Sequence, residues 1–516
     1  MVDSCVYLRQ RPSRACGARV FPLVRFDEQV RPATKRKNPS ALLRGLRAQN
    51  RNRTCTPLRV PDFESDASTS SAIWAICGTQ YYGIEAGRPN RAKNSILARP
   101  VGDEIGGRGA GINKNGMITI GLLREGKVPA DNRVALTPAQ CKWIHRNVPG
   151  MRVQVQTSPD RCYTDKEYRS AGVEVREELG ECDILFGIKE VPVGELLPGK
   201  TYLFFSHTKK KQPYNRSMFK AIVDRQITLI DYECLEHDDG QRILGFGFFA
   251  GVVGAHNGIM AYGNRTAGYA LERVHRQQSF RELIHTYFGL RLPEIKVAVT
   301  GSGRVAHGAL EVMNLLEIVE VEPDEFLERS FHYPVFTQLK GAGLYAHGQT
   351  GKYHRDEFHQ HPQEYRCKFL PYAATADILI NGIYWDRNMP RLFEWEDLAA
   401  DEFHIRTIAD ITDDREGSVP CNLGESTMED PIYGVDRKSG LRTAPYLPGS
   451  VDVMAVGNLP NELPRDASRY FGQQLIKHVL TDLLQGGSKI LDRATMVRRG
   501  QLTEPYRYLE AYARGE

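Results

Sequence analysis

From position 117 onward, short apolar runs alternate with amphipathic stretches. MITIGLL (117–123), RVQVQT (152–157), CDILFGIKE (182–190), TYLFFSH (201–207) and QITLIDYE (226–233) are rich in β-branched and aromatic residues and too short for helices, so they predict strands. Between them, TPAQCKWIHRNV (137–148) offers Thr137 as an N-cap and Pro138 in the first turn, which predicts a helix. NRSMFKAIVDR (215–225) predicts another. A second series begins at EIKVAVTGSGRVAHGALEVMNLL (294–316) and continues through ADILINGIYW, IRTIADIT and VDVMAVGNL. Strands that are apolar on both faces and alternate with helices imply parallel sheets covered on both sides. The predicted class is therefore α/β, with two Rossmann-like doubly wound parallel-sheet domains and an active-site cleft between them. The expected boundaries are 117–246 for the first domain, completed by 467–516, and 247–466 for a dinucleotide-binding domain.

The first 116 residues lack any sustained period of 2 or 3.6. They carry 20 Lys and Arg against 9 Asp and Glu, whereas the remainder has 48 against 54. A basic, non-folding extension is the expectation there, with Met117 as the expected natural first residue. The acidic remainder argues against nucleic acid as a partner. The longest apolar stretch, GFGFFAGVVGAHNGIMAYG (245–263), is interrupted by His256 and Asn257. Its glycine spacing predicts close helix packing, and no membrane partner is expected. The ten cysteines show no zinc spacing and no signal peptide follows Met1, so reduced thiols and a cytoplasmic location are expected.

One motif carries cofactor chemistry on physical grounds alone. At Gly301, Gly303, Arg304, Val305 and Ala306 a strand runs into a Gly-x-Gly-x-x-Ala turn and then a helix. Such a turn lets a pyrophosphate approach unpaired N–H groups at a helix start. Glu322 lies 21 positions beyond Gly301, at the expected end of the next strand. An acid there binds both ribose hydroxyls, so NAD is expected over NADP. Two further residues stand at predicted strand ends, where open α/β sheets place ligands. Lys189 is one, a base once burial and neighbouring cations lower its pKa. His207 is the other, already near the required pKa.

Several long motifs carry a family resemblance. IGLLREGKVPADNRVALTP resembles the opening of the alanine dehydrogenase and transhydrogenase superfamily. FGIKEVP, YLFFSHTKKKQ, LIDYECLEHDDGQRILGFGFFAGVVG, ILINGIYWDRNMPRL, IADITDDREGSV and VGNLPNELPRDAS resemble lysine-forming saccharopine dehydrogenases and lysine–ketoglutarate reductases. The resemblance implies Lys189 as general base and His207 as general acid/base. It implies substrate contacts at Arg133, Lys210, Arg242, Phe246, Thr412, Asp413 and Asp414, and cofactor contacts at Gln212, Ile411, Val456, Asn458 and Leu459. Glu190 and Glu233 match acids that tune the site. The implied reaction is NAD-dependent cleavage of saccharopine to lysine and 2-oxoglutarate. NADPH-dependent synthesis in reverse, alanine dehydrogenase and a catalytically silent nucleotide-binding regulator remain alternatives. Two positions depart from the pattern: Gly457 stands where the family commonly has Asp, removing that carboxylate, and Gln241 replaces a basic residue.

Saccharopine has three carboxylates, and Arg133, Arg242 and Lys210 are three cations from separate motifs. Lys209 and Lys211 are then expected on the solvated rim. The histidine-rich stretch HGQTGKYHRDEFHQHP, with His347, His354, His359 and His361, is expected to be a surface loop, and no metal is expected.

Overall fold

The computed structural model describes residues 117–515, and the expectations for the first 116 residues lie outside that range. The strands are β1 (Ile118–Leu122), β2 (Met151–Gln156), β3 (Glu174–Arg176), β4 (Ile184–Phe186), β5 (Thr201–Phe204) and β6 (Thr228–Asp231). They continue with β7 (Lys296–Thr300), β8 (Val319–Glu320), β9 (Val335–Leu339), β10 (Tyr345–His347) and β11 (Tyr365–Cys367). The last are β12 (Ile378–Asn381), β13 (Thr407–Asp410), β14 (Ile432–Asp436), β15 (Arg442–Thr443), β16 (Ser450–Met454), β17 (Thr495–Arg498) and β18 (Gln501–Leu502).

Two eight-stranded sheets form, ordered β18-β17-β6-β5-β4-β1-β2-β3 and β15-β14-β16-β13-β12-β7-β9-β8. The first pairs β1 to β6 in parallel and adds β17 antiparallel at β6. The second is parallel from β8 through β16 and gains β14 and β15 antiparallel. The α/β class read from the sequence holds. Strands β4, β5, β12, β13 and β16 are buried along their whole length, as doubly covered parallel sheets require.

Helix α1 (Pro138–Asn147) starts on the expected Thr137 cap, which Gln140 completes as a reciprocal capping box. Helix α2 (Gly247–Thr266) is the glycine-rich stretch. It packs on α3 (Arg304–Leu315) at backbone contact: a Cβ at Gly251 would stand 1.9 Å from the Val305 carbonyl, and one at Gly308 1.9 Å from that of Phe248. One apolar core runs from the first sheet through α2 and α3 onto a face of the second sheet. A separate core, including Phe326, Phe369, Phe393 and Phe403, covers that sheet's other face. Among the described residues no helix is long and apolar enough to cross a membrane.

In the histidine-rich stretch His354, His359 and His361 are exposed as expected, but His347 is buried and the segment is not a plain loop. Strands β10 and β11 pair antiparallel around it, Tyr345 stacks on Phe358, and Tyr365 meets Phe358 edge-on. His347 is buried; its Nδ1 accepts from the Gln349 and Thr350 amides at 3.1 and 3.3 Å, and its Nε2 meets Glu364 at 3.2 Å. The aromatic residues interleaved with the histidines supply a core, which outweighs the polarity of the segment.

Candidate active site

The carboxyl ends of β1, β4, β5 and β6 are neighbours in the first sheet, so the residues just beyond them converge. Lys189 follows β4 and His207 follows β5. They are joined through Glu190, whose Oε1 lies 2.6 Å from His207 Nδ1. His207 adopts φ 49°, a left-handed conformation that costs roughly 1–2 kcal/mol for a residue with a Cβ. Its neighbours hold it there. Ser206 N donates to buried Asp231 at 3.1 Å, Ser206 Oγ meets Thr208 Oγ1 at 2.7 Å, and Asn215 Nδ2 donates to the Ser206 carbonyl at 2.9 Å.

Charge at this end is arranged in pairs. Burial, then Arg133 and Lys127, lowers Lys189 to about 8, an amine that gives up a proton near neutrality. Burial opposes ionisation of Glu190, but its hydrogen bond and charge contact with His207 outweigh that and hold it at about 2. Lys127 Nζ stands 3.5 Å from its other oxygen. Arg133 is 3% exposed. Its Nε and Nη2 donate to Asp131 at 2.9 and 2.5 Å, it also donates to Asn458 Oδ1, and its guanidinium lies 4.1 Å over the Phe246 ring. Burial opposes the charge on Asp131, yet Arg133 holds that carboxyl down at about 2. Arg242 Nη2 donates to Glu233 at 2.9 Å. Lys210 is exposed and faces Asp414, whose carboxyl burial pushes up and Lys210 pulls down. Each of the three expected carboxylate-binding cations therefore has an acidic companion. Pairing lowers the cost of burying Arg133, whereas Arg242 and Lys210 stay exposed to solvent.

Glu125 was not singled out by any motif. It lies beyond β1, half-buried, and its two oxygens accept from the Ile188 and Lys189 amides at 2.7 and 2.8 Å. Burial and the charge of Asp131 raise it to about 8, against those two hydrogen bonds. It clamps the turn that presents Lys189. An acid in REGK looks like a surface residue; only strand adjacency brings it to Lys189.

The second sheet contributes backbone. Gly301 has φ 101°, and a Cβ there would stand 2.6 Å from the Gly382 carbonyl, so only glycine fits. Helix α3 begins at Gly303 without a side-chain cap, leaving its first N–H groups for an anion. Those features fit a dinucleotide's pyrophosphate. Beneath the turn, Thr300 Oγ1 donates to Asn381 at 2.7 Å, Asn381 Nδ2 to Asp410 at 2.9 Å, and Asn422 Nδ2 to Asp410 at 2.8 Å.

Several expected residues are committed elsewhere. The Thr412 hydroxyl donates to Asp410 at 2.7 Å. Ile411 and Leu459 pack against Gly254 of α2, and Val456 is buried. The Arg304 guanidinium donates to the Ile243 carbonyl at 3.1 Å, tying α3 to the segment before Phe246, while Val305 and Ala306 lie in the first turn of α3. The Gln212 carbonyl accepts from Tyr512 at 2.6 Å, and the Lys209 carbonyl from Tyr508 at 2.9 Å. The C-terminal segment therefore grips the lysine run.

Glu322 is a correction. It was expected on the strand beside β7, but it is exposed at the edge, beyond the two-residue strand β8 and just ahead of helix α4 (Pro323–Glu328). The place beside β7 belongs to β9, whose VFTQL is almost wholly buried, whereas both residues of β8 are exposed. Burial of apolar strands decides which one becomes central. β9 runs into Lys340, which donates to Gln338 at 3.0 Å, and Gln338 donates to the Gly301 carbonyl at 2.8 Å.

Fold and site together describe a two-sheet α/β protein with ionisable groups on one sheet and a glycine cradle on the other. An L-alanine dehydrogenase structure superposes with TM-score 0.53 at 17% identity, covering 77% of this chain and 100% of that one, which shows the fold. Residues 121–253 match the family described as Alanine dehydrogenase/PNT, N-terminal domain. The chain is 29% identical over 439 residues to the mitochondrial alpha-aminoadipic semialdehyde synthase of Rattus norvegicus, covering 75% of this chain and 47% of that protein. It thus spans about half the length of that relative. It is 24% identical over 388 residues to the saccharopine dehydrogenase [NAD(+), L-lysine-forming] of Candida glabrata, covering 70% of this chain and 90% of that protein. Saccharopine dehydrogenases and alpha-aminoadipic semialdehyde synthases are therefore among its homologues, in agreement with the resemblance carried by the motifs.

Proposed function

We propose that the protein is a nicotinamide-dinucleotide-dependent oxidoreductase of lysine metabolism that interconverts saccharopine with lysine and 2-oxoglutarate. The observation that carries this reading is the Lys189, Glu190 and His207 cluster at adjoining strand ends. A C–N bond joined to two amino-acid halves needs a proton acceptor for the secondary amine. It also needs a second group to move protons as water adds and the amine departs. Lys189, lowered to about 8, fits the first role. His207, oriented by Glu190, fits the second. Arg133, Arg242 and Lys210 are the groups to orient carboxylates, exchanging their present acidic companions for the ligand.

The turn at Gly301 and Gly303 and the start of α3 would hold the dinucleotide, with Asn458 and Gln212 towards its nicotinamide half. When bound, the dinucleotide supplies a hydride acceptor or donor. In the oxidative direction Lys189 would take the amine proton as the C–N bond is oxidised to C=N, and one water would then add to that carbon. His207 then returns a proton to the departing lysine amine. Saccharopine, water and the oxidised cofactor thus balance lysine, 2-oxoglutarate, the reduced cofactor and one proton.

The end of β9 favours the phosphorylated cofactor. Lys340, rather than Glu322, follows the strand beside β7, which supports it as the residue that would face the ribose. An ammonium there attracts a 2′-phosphate, whereas a carboxylate repels one. NADP(H) is therefore the cofactor we propose. A spectrophotometric comparison tests both points: saccharopine, or lysine plus 2-oxoglutarate, with each cofactor. Turnover with NADPH but little with NADH is expected. Turnover only with pyruvate and ammonia would overturn the substrate assignment.

A further inference from the structure

Glu425 belongs to none of the residues expected at the site, yet its carboxyl group is placed with care. Segment 424–428 runs beside 455–457, fastened by Ser426. The Ser426 amide and Oγ donate to the Ala455 carbonyl at 2.6 and 2.8 Å, and Ser426 bridges Val456 in parallel. The side chain of Glu425 is thereby laid across Gly457. A Cβ on Gly457 would stand 2.8, 2.9 and 3.0 Å from Glu425 Oε2, Cδ and Oε1. A side chain at 457 would have to displace that carboxyl.

On its other side Glu425 lies close to Asp413, whose Oδ1 is buried without a hydrogen-bond donor. Asp410 and Asp414 face Asp413 from their shared segment, and Tyr214 of the first sheet's loops lies within electrostatic reach of Glu425. Asn458, the residue after Gly457, hydrogen-bonds to Arg133 and Asp131. The acid pair is thus one residue away from a group that grips Arg133.

We propose that Glu425 is a positioning residue of this site: admitted by the missing side chain at Gly457, it keeps a proton on Asp413. Asp413 then meets an anionic ligand as a hydrogen-bond donor instead of a repelling charge. Two carboxyls in contact cannot both ionise cheaply. Burial, then the charge of Glu425, pushes Asp413 up to about 8. A neutral Asp413, next to the Asp414 that faces Lys210, repels a carboxylate-bearing ligand less than an ionised one. The inference rests on the reading of this cleft as a site for such ligands.

The direct test does not require turnover. Water-soluble carbodiimide reacts with protonated carboxyls, and peptide mass spectrometry reads the modification of Asp413 from pH 5 to 9. Wild-type protein should keep reacting to near pH 8. Glu425→Gln, which preserves shape and removes charge, should lower the midpoint by about one pH unit or more. Gly457→Ala leaves both acids in the sequence but displaces the Glu425 carboxyl, so it should produce the same fall, with no further fall in the double variant. Glu425→Ala with Gly457→Asp returns a carboxylate to the same spot and should restore the midpoint. A midpoint unmoved in both Glu425→Gln and Gly457→Ala overturns the proposal, whatever the cofactor results. As a second readout, the KM for 2-oxoglutarate in Glu425→Gln should rise severalfold above neutral pH, with kcat nearly constant. If the midpoint moves but wild-type protein turns over neither saccharopine nor lysine with 2-oxoglutarate, the pair stands and the proposed function fails.

Discussion

At their carboxyl ends the two sheets present opposite chemistries. The first ends in side chains that titrate: Glu125 and Lys189 both near 8, with Glu190 held at about 2 beside His207. The second ends, beyond β7, in a glycine turn, and the acid that closes β13, Asp410, is wrapped by Asn381, Thr412 and Asn422. Proton transfer needs groups whose charge can change, and those must be paired so that burial does not expel them. Gripping a pyrophosphate needs fixed N–H dipoles and close approach, for which side chains are obstacles. Substitutions at the first end should therefore change rate and pH dependence, and those at the second should change affinity.

The sharpest break in this contrast is Lys189→Met. It removes the proton acceptor, so kcat should fall by about 10²–10⁴ and the limb of the pH–rate profile near 8 should vanish. Cofactor binding, followed by nicotinamide fluorescence, should change little. An unchanged rate of reduced-cofactor formation from saccharopine would remove Lys189 from the mechanism.

On the second sheet, Gly301→Ala places a Cβ against the Gly382 carbonyl at φ 101°. The strain, roughly 1–3 kcal/mol, should weaken dinucleotide binding by about tenfold or more. The pH profile of residual turnover should keep its shape.

Glu125→Ala joins stability to the first sheet's charge. The folded-state pKa of Glu125 is raised from 4.5 to about 8, so its contribution is full below about 4.5 and fades as pH rises through 8. Thermal unfolding should therefore show the variant most destabilised at acidic pH. Its two amide hydrogen bonds are worth about 1 kcal/mol each. A constant difference between the two proteins from pH 4 to 9 would contradict a raised pKa.

Lys340→Ala sharpens the cofactor side. The KM for NADPH should rise several-fold to about tenfold, the effect of an exposed ion pair of roughly 1 kcal/mol, while that for NADH stays nearly constant. Smallest of all, Lys211→Ala should alter kcat/KM by no more than about twofold. Its ammonium stands 5.7 Å over the Tyr508 ring, an exposed contact of roughly 0.5–1 kcal/mol.

Periodicity and local chemistry made most of the architecture readable before any coordinates. Apolar runs of four to seven residues announced the parallel strands, Thr137 and Pro138 the first helix, and Gly-x-Gly-x-x-Ala the cradle at Gly301. Lys189 and His207 were visible because both follow such runs at strand ends. These are short-range signals, written in neighbouring residues.

Strand order is not written there. The sequence placed Glu322 beside the cradle, but β9 is the more apolar strand and took the central position, carrying Lys340 with it. The partners of the charged groups were equally hidden. Glu125 reaches Lys189 from 64 residues away and Asn458 reaches Arg133 from 325 residues away. Gly457 reads in the sequence as a lost carboxylate, while the fold lays that of Glu425 on the same spot. Local pattern fixes which segments become strands and helices, because period and capping act within a few residues. Which side chains meet depends on how buried strands compete for the centre of a sheet, and only the folded chain decides that.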